Sequence, residues 1–100
     1  MTRTLRIHAD ASEELAEAVE WYEARRRGLG RELFEAVVES IESLPTTAGT
    51  GTPLSADRRT RRLLLPRFPY QIVYRLAPAE IIVVAVAHTR RRPGYWRRRR

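Results

Sequence analysis

Cysteine and lysine are both missing from the chain, and histidine occurs only at His8 and His88. Without cysteine there is neither a disulfide framework nor a thiolate metal site, so a reducing cytoplasm is the expected setting. Two histidines far apart in sequence make a metal site unexpected, and no cofactor motif is present. No apolar run approaches the roughly 18 residues of a membrane span, and MTRTLRIHAD has no apolar signal core. Neither a membrane nor an exported destination is expected. The stretch 46–57, TTAGTGTPLSAD, has no glycine spacing that would cradle a phosphate, so it reads as a plain connection. Acidic residues are nearly absent from the second half, where Asp57 and Glu80 stand alone.

What is present is arginine. Residues 1–44 hold six arginines against ten acidic residues, a net of −4; residues 45–100 hold thirteen against two, a net of +11, giving the total of +7. An arginine-rich surface is ordinarily a solvated face, but thirteen gathered in one half suggest bidentate contacts to phosphate or carboxylate. With 100 residues, 43% of them apolar, the chain suits one small domain, residues 1–96, with a single core. Arg97–Arg100 are expected to be a frayed, solvated basic tail.

Leu5 and Ile7 alternate with Arg6 and His8, which predicts a short half-buried strand with His8 facing solvent. Asp10, with Glu13 three residues on, predicts a capping box and a helix from about Ala11. Leu15, Ala18, Val19 and Tyr22 form its apolar face, and Trp21 and Tyr22 are expected in helix packing. Arg25–Arg27 complement the end of the helix dipole, and Gly28 supplies a permissive terminus. Leu33, Val37, Ile41 and Leu44 recur at helical spacing in a second helix, which Pro45 is expected to end. A connection this short forces an antiparallel helical hairpin.

The basic half reads as strands. Leu63–Leu65 form one; Phe68, Tyr70, Ile72, Tyr74 and Leu76 alternate with Gln71, Val73 and Arg75 in the next. A turn at Ala77–Glu80 leads to Ile81–Ala87, an unbroken apolar run expected to be the central strand, covered on both faces. It delivers His88, Arg90, Arg91 and Arg92 to one sheet edge, where Pro93-Gly94 stop the ladder and Tyr95-Trp96 can fold back. The predicted fold is α+β, β-α-α-β-β-β, with the helical hairpin on one face of a small, mainly antiparallel sheet. Its other face is expected to be lined by arginines.

The segments EAVEWYEARRRGLG (17–30), RRLLLPRFPYQIVYRL (61–76) and VVAVAHTRRRPGYW (83–96) resemble the RelE/ParE superfamily of bacterial type II toxin–antitoxin toxins, also described as plasmid stabilisation proteins. The likeness spans nearly the whole chain. It implies an intracellular toxin encoded beside an antitoxin whose tail wraps it and blocks its active surface. RelE-like members resemble ribosome-dependent messenger RNA nucleases, which need cations for the phosphorane and side chains that move protons. ParE-like members resemble inhibitors of DNA gyrase without cleavage chemistry.

Nuclease members place an arginine immediately before the hydrophobic-Val-Tyr segment, where this chain has Gln71. That departure favours the ParE-like branch. On the nuclease alternative, His88, Arg67, Arg75 and Tyr95 would be the catalytic set. On either, Arg58, Arg59, Arg61, Arg62, Gln71, Arg90, Arg91, Arg92 and Trp96 are the candidate contacts to target or to an acidic antitoxin tail. Plain structural roles compete: His88 as a hydrogen-bonded strand terminus, and Tyr95-Trp96 as an anchor for the tail. A third alternative is a non-toxic basic nucleic-acid-binding module, although the sequence offers no base-reading helix or stacking platform.

Overall fold

Helical spacing in the first half and two-residue spacing in the second build two layers, and the computed structural model describes them over residues 3–100. In chain order these are β1 (Thr4–Ile7), α1 (Ala9–Arg25), α2 (Leu29–Thr47), a 3-10 turn (Ala48–Thr50), β2 (Thr52–Pro53), β3 (Thr60–Leu64), β4 (Tyr70–Leu76) and β5 (Glu80–His88). The strands lie in the order β1-β5-β4-β3-β2. β1 runs parallel to β5, Thr4 opposite Glu80 through Ile7 opposite Val83, and the other neighbours are antiparallel. The fold is thus α+β as expected, with one strand more. β2 falls within the stretch expected to be a plain connection, and it pairs with Arg61 and Arg62 of β3.

The apolar stripe of α2, with Leu33, Val37, Ile41 and Leu44 all buried, meets Ile72, Tyr74, Ile81, Val83 and Val86 on one face of the sheet. Ala11 and Ala18 of α1 join the same core, with Leu15, Val19 and Tyr22 packed at its rim. Ile81–Ala87 are all buried, as two-sided cover requires. β5 is flanked on both sides, although the middle place in the order belongs to β4.

Several terminal details differ from expectation for physical reasons. His8, not Asp10, caps α1: its backbone is extended and its Nδ1 accepts from the Asp10 N–H at 3.0 Å. The helix therefore begins at Ala9, and Asp10 lies inside the first turn, where its charge suits the dipole. Pro45 does not end α2, which continues to Thr47. Proline removes only the one bond its own N–H would make to the carbonyl of Ile41, and just two helical residues follow it, the first of which bonds back along the helix through its hydroxyl, Thr46 Oγ1 to Ser43 O at 3.0 Å. Leu5 and Ile7 are not half-buried. They are 36% and 44% exposed, because α1 packs against β5 and leaves β1 at an uncovered edge.

Trp21 is likewise outside the packing, 51% exposed with the Arg25 guanidinium 3.5 Å above its ring. Its neighbour Tyr22 points inward, edge-on to Phe68 and Tyr70. Glu23 then joins the two helices: its carboxylate accepts from Gly28 N at 2.9 Å and Gly30 N at 3.0 Å. Those bonds, the Gly28 N–H above all, hold the carboxyl below its usual range. Gly28 adopts φ +88°, and Gly30 lets α2 pass against the Val19 carbonyl of α1. Trp-Tyr-Glu and Gly-Leu-Gly are two ends of one hairpin.

Candidate functional site

The sheet face away from the helices is built by the alternation of β4 and β5. Gln71, Val73 and Arg75 share it with Ala87, Ala85 and Ile82 opposite them. Between Val73 and Tyr74 the register slips by one residue, so that Val84 and Ala85 both face this side. The small, apolar surface this makes is not left open. Trp96, 5% exposed, sits on Val73, Ile82, Val84, Ala85 and Ala87, with Tyr95 packed beside it.

Residues 89–100 are brought there by a series of turns. The His88 Nδ1 accepts from Arg90 N at 3.1 Å and its carbonyl from Arg91 N at 3.0 Å, which reverses the chain. Gly94, at φ +85°, permits a second bend, and Arg97 N and Arg99 N bond back to Gly94 O and Trp96 O. The segment then crosses the sheet face. Arg75 donates to the Arg99 carbonyl at 2.7 Å and Arg6 to that of Arg100 at 3.3 Å. Of the terminal arginines, expected to be a frayed tail, Arg99 is held, its side chain 15% exposed, while Arg97 and Arg98 face solvent.

One carboxylate secures this strap. Glu14 of α1 reaches the edge of β5 just past the last residue of β1, where the sheet lacks a partner strand. There Glu14 accepts from Val86 N at 3.1 Å, from the Tyr95 hydroxyl at 2.6 Å, and from Arg99 at 2.8 and 3.2 Å; Arg91 approaches at 3.3 Å. Arg99 completes the edge by donating to Val84 O at 3.0 Å. Burial, then the bond to Glu14 and its charge, push the Tyr95 hydroxyl well above the usual range. For Arg99, burial opposes the charge but Glu14, Tyr95 and Asp10 outweigh it, so its pKa rises. Glu14 was not singled out from sequence. Its only signal is a carboxylate on the flank of an amphipathic helix, indistinguishable there from Glu13 and Glu17.

The candidate residues separate into fastened and free. Arg61 donates to the carbonyls of Arg58, Gly49 and Gly51, so it ties down the loop ahead of β2. Arg62 donates to Gln71 Oε1 at 3.1 Å, and its buried Nε has no partner among the described residues. Arg67, with φ +71°, pairs with Glu32 at 2.8 Å on the helical side. Arg75 is held by the strap. Arg58, Arg59, Arg90 and Arg92 are exposed, and their side chains make no hydrogen bond or ion pair among the described residues.

Two of the clefts that adjoin the strap, and a third at β1, bear on the candidate residues. The first, about 350 Å³, is walled by Trp21, Tyr22, Tyr70 and His88, with Glu14, Glu17 and Arg91 at its polar side. The second, about 280 Å³, lies between the β3 hairpin and the strap and contains Arg75 and Trp96. His88 and Arg75 thus line different clefts, and Tyr95 is bound to Glu14. The third is an apolar groove of about 420 Å³ beside β1, lined by Leu5, Ile7, Leu15, Phe34, Val38 and Ile41. Phe34 is 48% exposed there, and β1 presents an unpaired strand edge.

Among the described residues no helix is long and apolar enough to cross a membrane. Comparison with curated protein sequences gives no match. Among solved structures, the chain is similar to one titled "Chromosomal ParDE TA system from P. aeruginosa", with a TM-score of 0.76 and 20% identity over 87% of this chain and 96% of that one. At that identity the likeness concerns the fold. Residues 5–93 match the family described as ParE toxin of type II toxin-antitoxin system, parDE. That match runs from β1 to the bend at Pro93 and takes in the sheet, both helices and the His88 turn; the chain belongs to the ParE toxin family, within the RelE/ParE superfamily.

Proposed function

We propose that this ParE-family toxin acts in the cytoplasm by binding DNA gyrase, without cleavage chemistry of its own, and is neutralised by a cognate ParD antitoxin. The observation that carries the choice of target class is Gln71. It occupies the place where the nuclease branch has an arginine, it is 7% exposed, and it spends its carbonyl on Arg62. A neutral amide offers no countercharge to a developing phosphorane dianion. The tethers of the other candidates point the same way. Tyr95 is locked to Glu14 with its proton held tightly, and Arg67 is paired with Glu32.

The surface offered to a target is then the strap with its free cations, Arg90, Arg92, Arg97 and Arg98, continued by Arg58 and Arg59 at the β3 turn. An acidic antitoxin segment would be drawn to the same charge, and the groove beside β1 offers that partner an apolar seat next to an open strand edge. One observation favours the nuclease alternative: Arg62 beside Gln71 returns a positive charge to that part of the sheet.

The test is to induce the chain alone in a bacterial host and, at first growth arrest, to assay gyrase–DNA cleavage complexes and the 5′ ends of messenger RNA. Trapped gyrase with intact messages is the expected result. Codon-phased cuts in messages with undisturbed supercoiling would overturn it.

A further inference from the structure

The C-terminal strap carries seven of the chain's nineteen basic residues over a span of twelve, yet it contains no acid and little apolar surface besides Tyr95 and Trp96. Like charges so dense repel one another, and a segment of this kind leaves the sheet unless something holds it. Two things do. Trp96 is buried on Val73, Ile82, Val84, Ala85 and Ala87, and Glu14 gathers Arg91, Tyr95 and Arg99 around one carboxylate. The second hold is the more specific, since Glu14 also bonds the Val86 N–H and so fixes its own place at the β5 edge.

We propose that Glu14 is the positioning residue of the target-binding surface. It touches no target. Through Arg99 and Tyr95 it sets the path of the strap, and that path decides where Arg90, Arg92, Arg97 and Arg98 are displayed. A side chain 11% exposed that accepts from a backbone N–H, a phenol and two guanidinium groups has few substitutes. Glutamine keeps the shape but removes the charge that both arginines face, and its amide N–H₂ meets donors instead of acceptors. Aspartate keeps the charge on a shorter stem. The inference rests on the reading that the basic strap meets the target, and it adds the residue on which that surface depends.

The test has two readouts. Trp96 is followed by acrylamide quenching in a Trp21→Phe background, which leaves it the sole tryptophan; growth arrest is scored without that background change. The expected result for Glu14→Gln is a several-fold rise in Trp96 quenching and at least a tenfold loss of growth arrest, in a chain that circular dichroism shows to be folded. Glu14→Asp should recover part of both. If Glu14→Gln fails to fold, Arg99→Met opens the clasp from the strap side and should give the same pair of changes. Unaltered Trp96 quenching in the folded variant overturns the clasp. Raised quenching with undiminished growth arrest overturns the positioning role. A parent chain that arrests growth without trapping gyrase breaks the gyrase reading alone, because both readouts still judge Glu14; one that never arrests growth overturns both.

Discussion

Gly30 shows how much of the helical layer hangs on a single missing side chain. A Cβ built there would lie 2.5 Å from the Val19 carbonyl oxygen, a backbone atom that cannot step aside. Gly30→Ala should therefore push α1 and α2 apart and destabilise the fold by about 1–3 kcal/mol, the usual cost of overpacking. Gly49 is the control: a Cβ there meets nothing within 4 Å, so Gly49→Ala should leave the urea midpoint nearly unchanged. Equal midpoints for the two variants would show that the helix crossing tolerates a methyl group.

Tyr95 separates structure from chemistry at the same scale. Its hydroxyl donates to a carboxylate at 2.6 Å, a short charge-assisted bond. Tyr95→Phe removes that bond but keeps the ring on which Arg91 lies, 3.8 Å from the centroid. The expected cost is about 1–2 kcal/mol in unfolding by urea, with growth arrest retained because Arg99 still holds Glu14 through two bonds. Complete loss of growth arrest at unchanged stability would return Tyr95 to a chemical role. In the sequence Tyr95 suited either part equally, because its partner Glu14 lies far away along the chain.

Among the elements, those whose periodicity is long were legible without coordinates, since burying a stripe or alternate residues leaves a pattern that local sequence records. Leu33, Val37, Ile41 and Leu44 gave α2, and Ile81–Ala87 gave β5, each with the face it buries. Features decided by a single distant contact left no such trace. β2 is two residues held by pairing with β3, and the exposure of Leu5 and Ile7 follows from where α1 crosses the sheet. The candidate site divides in the same way. The arginines and the returning Tyr95-Trp96 were legible, whereas the clasp at Glu14 and the anchorage of Arg61 on Gly49 and Gly51 depend on tertiary neighbours.

The helical hairpin has a pH dependence of its own. The carboxyls of Glu23, bonded chiefly to Gly28 N, and of Glu32, bonded chiefly to Arg67, are both held below their usual range in the fold. A depressed folded pKa means that the stabilisation is complete above the unfolded value and is lost as pH falls through the folded one. Acidification through and below the ordinary carboxylate range should therefore lower the urea midpoint. Glu23→Gln should lower it at neutral pH and flatten its decline. A midpoint–pH curve for Glu23→Gln parallel to that of the parent would show that Glu23 is not the source.

Over the whole molecule, the charge split of −4 and +11 becomes a spatial one, because the acidic half forms β1 and the helical hairpin and the basic half forms the other four strands and the strap. A partner carrying acidic residues is therefore steered toward the strap, while the apolar groove of Leu5, Ile7 and Phe34 supplies surface to bury once it arrives. Steering and burial act on different rate constants. Rim charges change the association rate and its salt dependence, whereas seated apolar contacts mainly change dissociation. For binding to the cognate antitoxin, replacing both Arg90 and Arg92 by glutamine should slow association and reduce its sensitivity to ionic strength. Phe34→Asp, at a position already half exposed and so cheap for the fold, should instead speed dissociation by tenfold or more. Surface-immobilised antitoxin with the toxin variants passed over it at several salt concentrations measures both constants. If Phe34→Asp leaves dissociation unaltered, the groove beside β1 is not the antitoxin's seat, and the partner is held by the strap alone.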